Sequence, residues 1–238
     1  NWKIFGSKDV SMERFFDILF SGLALLALSP LLVPVVIILK FSGEGEVFFF
    51  QERIGKDGKL FKLYKFATML KDSPNLGTGT VTMRDDPRVL LVGKFLRKTK
   101  LNELPQLLNI FLGDMSVIGP RPLTAQTFAS YSDNTKAVIS QVRPGLSGVG
   151  SIIFRSEEDI MHGVTASVDF YHNVIAPYKG ALEEWFVTNK GTYTYFMAIF
   201  TTVWAVLFSE TKVAWIVFKG LPEPPEELKL ALNYTTNK

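Results

Sequence analysis

Lys100 to Leu123, KLNELPQLLNIFLGDMSVIGPRPL, is the stretch on which the reading of this chain turns. Asn102-Glu103-Leu104-Pro105 reads as the start of a helix. Asn102 can cap, Glu103 suits the positive end of the dipole, and Pro105 falls in the first turn, where backbone N–H groups lack intrahelical partners. Such N–H groups also hold phosphate oxygens. At the far end, Gly119-Pro120-Arg121-Pro122 restricts φ at two prolines and pushes Gly119 and Arg121 towards extended backbone, so a guanidinium is presented on a stiff loop. Guanidinium grips phosphate through two parallel hydrogen bonds. The two ends of the segment together suit a bound diphosphate.

Composition narrows the classes available. At 238 residues the chain has ample length for a sizeable core, and one compact body is expected. Its 47% hydrophobic content and mean hydropathy of +0.18 lean towards membrane contact, as do 20 Phe and 4 Trp. A net charge of only +3 supplies no strong polyanion-binding field, which argues against nucleic acid. Without cysteine there are no disulfides, no thiol nucleophile and no Cys-ligated zinc. His162 and His172 are the only histidines, so a histidine metal site is not expected.

Phe15 to Leu39 is an apolar run broken by one charge, Asp17, and at about 1.5 Å per residue it can cover a hydrocarbon core of about 30 Å. Ser29-Pro30 and Pro34 lie inside it, where proline deletes a backbone donor and clashes with the preceding turn, so a sharp kink is expected. Both flanks are basic, with Lys3, Lys8 and Arg14 before and Lys40 after, and charge asymmetry assigns no crossing direction. That symmetry favours a re-entrant hairpin broken at Ser29 and Pro30 over a spanning helix. A signal peptide is disfavoured by the length of the run and the lack of an A-x-A site. Tyr193 to Phe208 is short for a crossing and carries aromatics suited to the water–lipid boundary; it reads as an interfacial helix, with a buried core helix as the alternative. Leu221 to Glu226 breaks helices, and residues 233–238 read as a disordered tail.

Residues 100–123 resemble the signature of the bacterial sugar transferases, the small monotopic phosphoglycosyl transferases: S-L-D-E-L-P-Q-L-x-N-V-x-x-G-D-M-S-x-V-G-P-R-P. Phe48 to Met69, FFFQERIGKDGKLFKLYKFATM, resembles the family's F-F-x-Q-x-R-x-G-x-x-G-x-x-F-x-x-Y-K-F-R-T-M block, with Ala67 where the family often has Arg. Thr82-Met83-Arg84-Asp85-Asp86-Pro87-Arg88 and Gly93-Lys94-Phe95-Leu96-Arg97 fit the D-D-P-R and G-x-F-L-R segment that leads into the signature. Separate blocks in the same order cover roughly the first 150 residues. The resemblance implies a helix that dips into one leaflet and returns to the cytoplasmic face. It also implies a reaction in which a carboxylate attacks the β-phosphorus of a UDP-sugar, UMP leaves, and the phosphosugar passes to polyprenyl (undecaprenyl) phosphate with Mg2+ assisting.

The family's covalent nucleophile is the first acid of the D-E pair, and this chain has Asn102 there. A neutral amide is a poor nucleophile and a weak magnesium ligand. Three accounts stand: Glu103 has become the attacking group, the chain is a natural or engineered non-covalent variant, or phosphosugar passes directly between two bound substrates. Glu103 ranks first because the surrounding motif is intact, although it points about 100° further round a helix than its neighbour. The bland readings are a helix-dipole partner for Glu103 and a plain N-cap for Asn102.

An anionic nucleophile approaching a diphosphate needs cations, because at about 4 Å two unit charges repel by about 4 kcal/mol at an effective dielectric of about 20. The substrate-binding candidates are Lys65, Arg88, Arg97, Arg121, Pro122 and Arg143. Lys94, Arg97 and Lys98 share a helical face that reads equally as solvated or headgroup-facing, and Arg121 reads alternatively as a structural ion pair. Glu103 and Asp114 are the metal candidates, Asp114 having the alternative of orienting an arginine. Asp85 and Asp86 read as caps of a turn before Pro87. Arg143-Pro144-Gly145-Leu146-Ser147-Gly148 resembles R-P-G-[IL]-[ST]-G, a glycine-rich turn able to approach a nucleotide, or simply a loop.

The fold expected is α+β, mainly helical and monotopic, with short strands around Val47 to Phe50 and Phe61 to Lys65. Its divisions along the chain are a re-entrant membrane helix (1–40), a catalytic core (41–155) and a helical, interfacial extension and tail (156–238). The function expected is transfer of a sugar 1-phosphate from a UDP-sugar to undecaprenyl phosphate at the cytoplasmic face of a bacterial inner membrane, the first membrane step of a surface glycan. The rival is a catalytically silent relative that binds either substrate and scaffolds glycan enzymes. The small form of the family, without a further membrane bundle before the motif, is the form expected. Partners are the UDP-sugar, undecaprenyl phosphate and membrane lipid, with self-association and the identity of the sugar left open.

Overall fold

The structure, a computed structural model, describes residues 7–73, 86–155, 170–208 and 212–234. Thr82 to Asp85, His162 and residues 235–238 lie outside the described residues. The chain forms two compact units: one of residues up to Asp17, Arg53–Phe61 and Gly113 onward, the other of Ile18–Glu52 and Lys62–Leu112. The result is mainly helical with two small sheets, as expected of an α+β chain.

α1 (Ser7–Lys40) carries the apolar run, and its Met12–Lys40 portion has the length and mean hydropathy, 2.6, of a membrane helix. Only 11% of that apolar window is buried, so Leu23, Leu26, Val33 and Ile37 present their side chains outward. The kink expected at Ser29-Pro30 is not shown: α1 is one continuous helix that contains Pro30 and Pro34. The local chemistry softens the first proline. Pro30 has no N–H to offer Leu26 O, and the Ser29 hydroxyl donates to that carbonyl at 2.8 Å instead.

In the unit of Ile18–Glu52 and Lys62–Leu112, β1 (Phe48–Ile54) pairs with β2 (Leu60–Phe66) close to where strands were expected. Phe48 stacks on Phe66 with ring centroids 5.7 Å apart, and Phe50 meets Tyr64 edge-on at 5.2 Å. These are the cross-strand aromatic pairs that hold a small sheet together. Phe66 also joins Val35 and Leu39 of α1 and Leu96 of α2 (Leu91–Lys98) in a core closed by Leu32, Val36, Val47, Val92 and Leu101. Against this core α2 turns Leu96 inward and leaves Lys94 and Lys98 in solvent. A 3-10 turn, Leu101–Glu103, then leads to α3 (Gln106–Leu112).

The other unit is built around β3 (Ser116–Ile118) and β4 (Gly145–Ser147), which pair in parallel with Ser116 opposite Gly145 and Ile118 opposite Ser147. Parallel neighbours need a crossover, supplied here by α4 (Ala125–Ala129) and α5 (Asp133–Ile139). Thr124 and Ser132 cap these helices by accepting the N–H groups of Thr127 and Thr135. α8 (Thr192–Phe208) packs on the sheet, α6 (Val149–Ile153) packs against α8, and α7 (Ala176–Thr188) packs against α5 and α6, burying Ile118, Val149, Ile152, Leu182, Phe186 and Tyr195.

The Arg143–Gly148 segment is therefore a strand and its flanks, a correction to the loop expected there. Its glycines answer to the strand beside them: a Cβ on Gly145 would lie 2.1 Å from Gly119 N, and one on Gly148 would lie 2.2 Å from Gly119 O. α8 buries Tyr195, Ala198, Thr201 and Ala205 along one stripe and exposes Tyr193, Phe200, Val203, Leu207 and Phe208. It is half core helix and half apolar surface, so neither alternative drawn from the sequence is complete. α9 (Lys212–Val217) and α10 (Glu226–Lys229) close the unit. The described part of the tail is anchored: Leu228 and Leu232 are buried, and Tyr178 donates its hydroxyl to Pro222 O at 2.9 Å.

Candidate active site

Glu103 ends the 3-10 turn with its carboxylate partly open to solvent, and its Oε1 lies 3.3 Å from the Lys65 ammonium of β2. Both residues belong to motif blocks read from the sequence, and the fold brings them together. Asn109 sets the register that allows this. Buried on α3, it accepts the Tyr64 N–H through Oδ1 at 2.9 Å and donates through Nδ2 to Lys62 O at 2.8 Å, which clamps α3 to the edge of β2 beside Lys65. A single amide satisfying one donor and one acceptor of a strand edge replaces a ladder that α3 cannot supply.

Asn102 does not cap the helix, a correction to its bland reading. The turn begins after Lys100, which adopts left-handed backbone with φ 60°, and the Asn102 side chain points inward with Oδ1 buried and without a hydrogen-bond partner. Arg88 is buried against Asp86. Its Nε and Nη2 donate to the two carboxylate oxygens at 2.8 and 2.5 Å, and Nη1 donates to Ser73 O at 2.7 Å. Asp86 also accepts the Arg88 N–H at 3.0 Å, closing the turn over Pro87. That geometry commits Arg88 to the loop. Arg97 lies half-buried in the last turn of α2, on the face it shares with the exposed Lys94 and Lys98.

The Pro120–Leu123 loop belongs to the other unit and is held from several directions. Arg53 Nη1 donates to Pro122 O at 3.0 Å, Ile54 N–H to Leu123 O at 2.9 Å, and Gly145 N–H to Pro120 O at 2.8 Å. The Arg121 N–H donates to Glu183 Oε1 at 3.3 Å, while the Arg121 side chain is exposed. Pinned backbone with a free-standing guanidinium is what a phosphate-gripping loop requires. Burial pushes the Glu183 carboxyl up to about 7, against the opposing pull of the Arg121 N–H and the charges of Lys179 and Arg121. Arg143 donates from Nε to Gly113 O at 2.7 Å, and Asp114 acts electrostatically on Arg14.

Asp17, which the sequence offered only as an interruption, is buried and accepts from Ser116 Oγ at 3.0 Å, Val117 N–H at 2.8 Å and Tyr195 Oη at 2.8 Å. It ties the start of α1 to β3 and α8. A lone charge inside an apolar run was the signal for it, and a lone Asn inside QLLNIFL was the signal for Asn109. Nothing in the pattern of α7 separates Glu183 from its neighbour Glu184. Among the described residues no three of His, Cys, Asp and Glu gather as a metal site. Glu103, a lone and partly exposed carboxylate 3.3 Å from the Lys65 ammonium, could supply at most one ligand to a magnesium ion, which is commonly held by one or two carboxylates plus substrate phosphates.

The sequence profile of the family named bacterial sugar transferase matches residues 8–209. The exopolysaccharide production protein ExoY of Sinorhizobium fredii (strain NBRC 101917 / NGR234) is 38% identical over 174 residues, covering 67% of this chain and 76% of that protein. ExoY of Rhizobium meliloti (strain 1021) is 37% identical over 175 residues, covering 68% and 77%. The UDP-glucose:undecaprenyl-phosphate glucose-1-phosphate transferase of Escherichia coli (strain K12) is 38% identical over 162 residues, 67% of this chain but 35% of that longer protein. The chain belongs to the bacterial sugar transferase family, and by class it is a phosphoglycosyl transferase.

Proposed function

We propose that this protein transfers a sugar 1-phosphate from a UDP-sugar to undecaprenyl phosphate, releasing UMP, at the cytoplasmic face of a bacterial inner membrane. The observation that carries the reading is the Lys65–Glu103 pair at 3.3 Å, set by Asn109 and exposed enough to receive a ligand. In this scheme a Glu103 carboxylate oxygen attacks the β-phosphorus, the bond from that phosphorus to the bridging oxygen breaks, and UMP departs with the electron pair. An oxygen of undecaprenyl phosphate then attacks the same phosphorus and frees Glu103, leaving a sugar diphosphate on the lipid. Lys65 orients the carboxylate and offsets charge on the arriving diphosphate. Arg97, in the last turn of α2, adds positive field beside the 3-10 turn. Magnesium held by Glu103 and the donor's phosphates would neutralise diphosphate charge. The apolar run of α1 anchors the protein in the membrane, with the exposed face of α8 lying in the interface.

A second reading rests on Asn102, whose buried Oδ1 has no partner. In a silent relative this position has lost its carboxylate, and the chain binds substrate without turnover. The deciding measurement is UMP release from a panel of UDP-sugars in detergent with Mg2+ and undecaprenyl phosphate, for the protein and for Glu103→Gln. Release that requires both the lipid and Glu103 supports the transferase and names its sugar. No release from any donor, regained on Asn102→Asp, supports the silent relative.

A further inference from the structure

Glu183 stands behind the loop that presents Arg121, and the proposed transfer leaves it unused. It lies on α7, only 3% exposed, and its two carboxyl oxygens have unlike surroundings. Oε1 accepts the Arg121 N–H at 3.3 Å and packs so closely on α6 that a Cβ on Gly150 would lie 2.6 Å from it. Oε2 is buried without a hydrogen-bond partner. One long hydrogen bond compensates poorly for a buried negative charge, so this geometry suits a neutral carboxyl. The balance is nevertheless close. Lys179, one turn earlier on α7, and Arg121 favour the ionised form against burial, which raises the pKa to about 7. Other groups on the elements packed around α7 are turned to different tasks. Glu184 accepts from Asn134 and Thr135 of α5, Lys136 of α5 pairs with Asp133, His172 is exposed, and α6 has no charged residue.

We infer that the Arg121 loop holds a phosphate group of a substrate and that Glu183, its positioning residue, loosens that hold on losing its proton. The inference rests on the reading of the chain as a transferase of phosphorylated substrates. The proton changes the charge behind the loop more than its shape, because Arg53, Ile54 and Gly145 also pin Pro120 to Leu123 by donating to its carbonyls. With Glu183 neutral, the exposed guanidinium directs its full charge outward. With Glu183 ionised, a buried anion stands behind that guanidinium and cancels part of the positive field a phosphate would meet. Linkage makes the effect reciprocal: a phosphate at Arg121 tightens the hold of Glu183 on its proton by the same factor. Phosphate binding is therefore strongest below about pH 7, where Glu183 is protonated, and weakens above it.

The test uses the full chain in detergent and follows UDP binding by calorimetry at pH 6 and pH 9 with Mg2+ held constant. UDP and other side chains titrate in this range too, so the comparison is with Glu183→Gln, which keeps an acceptor for the Arg121 N–H and carries no charge. Between the two pH values the unaltered protein should lose about tenfold more affinity than Glu183→Gln, the size of one charge pair interacting inside a protein. Equal pH dependence in the two proteins reduces Glu183 to a structural contact and overturns this inference alone. Absence of UDP binding at both pH values overturns the transferase reading with it. Should Glu183→Gln fail to fold, the unaltered protein labelled with nitrogen-15 arginine decides. Its Arg121 amide resonance, assigned by its loss in Arg121→Lys, should move with a midpoint near pH 7, and a resonance that stays still from pH 5 to pH 9 overturns the inference.

Discussion

Glu183 Oε1 accepts the backbone N–H of Arg121 at 3.3 Å, while its Oε2 is buried without a hydrogen-bond partner. A carboxylate so placed favours its protonated form, and burial raises its pKa to about 7. Below an ordinary unfolded value near 4.5 both states hold the proton and Glu183 adds no pH dependence. Between there and about 7 only the folded state holds it, so stability falls as pH rises, by up to about 3 kcal/mol once pH exceeds 7. Glu183→Gln keeps an acceptor for Arg121 and removes the titration. Thermal melts at pH 5 and pH 8 should show the substituted protein losing much less stability over that interval than the unaltered one. Equal losses would mean that Glu183 stays ionised throughout.

Lys65 and Glu103 make a contrasting pair, because both remain partly in water, with side chains 23% and 38% exposed. Exposed ion pairs contribute about 1 kcal/mol or less to stability. Lys65→Gln should therefore leave the melting temperature almost unchanged. Its effect belongs to the proposed reaction, in which the ammonium would face a diphosphate. UMP release should fall about 10- to 100-fold, equivalent to about 1.4 to 2.7 kcal/mol of barrier. Unchanged release from a stably folded Lys65→Gln protein would remove the pair from the mechanism.

Much of this was legible in the sequence, and the failures share a cause. The hairpin, the apolar α1 and the aromatic α8 each carry their signal locally, in alternation, run length or residue type. Lys65 and Glu103 each lie inside a motif block, but their pairing at 3.3 Å depends on the fold. What the sequence hid depends on contacts between distant segments: Arg143 to Gly148 looked like a loop because its strand exists only beside Ser116 to Ile118. Asn102 looked like a cap because a helix was expected to begin there, whereas Lys100 turns left-handed and a 3-10 turn intervenes. Glu183 acts on a backbone 62 positions away, and no local pattern carries that information.

Gly145 tests the close approach of the two parallel strands. Any side chain there would meet Gly119 N at 2.1 Å and Ser147 O at 2.4 Å, backbone atoms that cannot rotate aside. Gly145→Ala should cost more than about 3 kcal/mol or prevent folding, the range reached by overpacking at a fixed backbone. Gly58 supplies the comparison. Its φ of +72° disfavours a side chain, but nothing lies within 4 Å of its Cβ position, so Gly58→Ala should cost only about 1 to 2 kcal/mol. Denaturant titration of the two variants distinguishes collision from backbone preference, and a mild Gly145→Ala would mean that the strands separate without penalty.

Ser29 and Pro30 leave the topology of α1 to a direct measurement. The helix is continuous, yet at this point it is held by a side-chain hydrogen bond where a backbone one is missing, and the surface on either side is apolar. A re-entrant anchor would turn here and bring both basic ends back to one face, while a spanning helix would carry Lys40 to the opposite face. The chain has no cysteine, so single-cysteine variants report without background. Met12→Cys and Phe41→Cys, in sealed vesicles of one orientation, should react alike with a membrane-impermeant maleimide if the anchor is re-entrant. Labelling of one site from outside and of the other only after detergent would establish a spanning helix. Ser29→Ala then gives the energetic counterpart: with Leu26 O left unsatisfied in hydrocarbon, it should destabilise the membrane-bound protein by about 1 to 2 kcal/mol, or shift the labelling pattern.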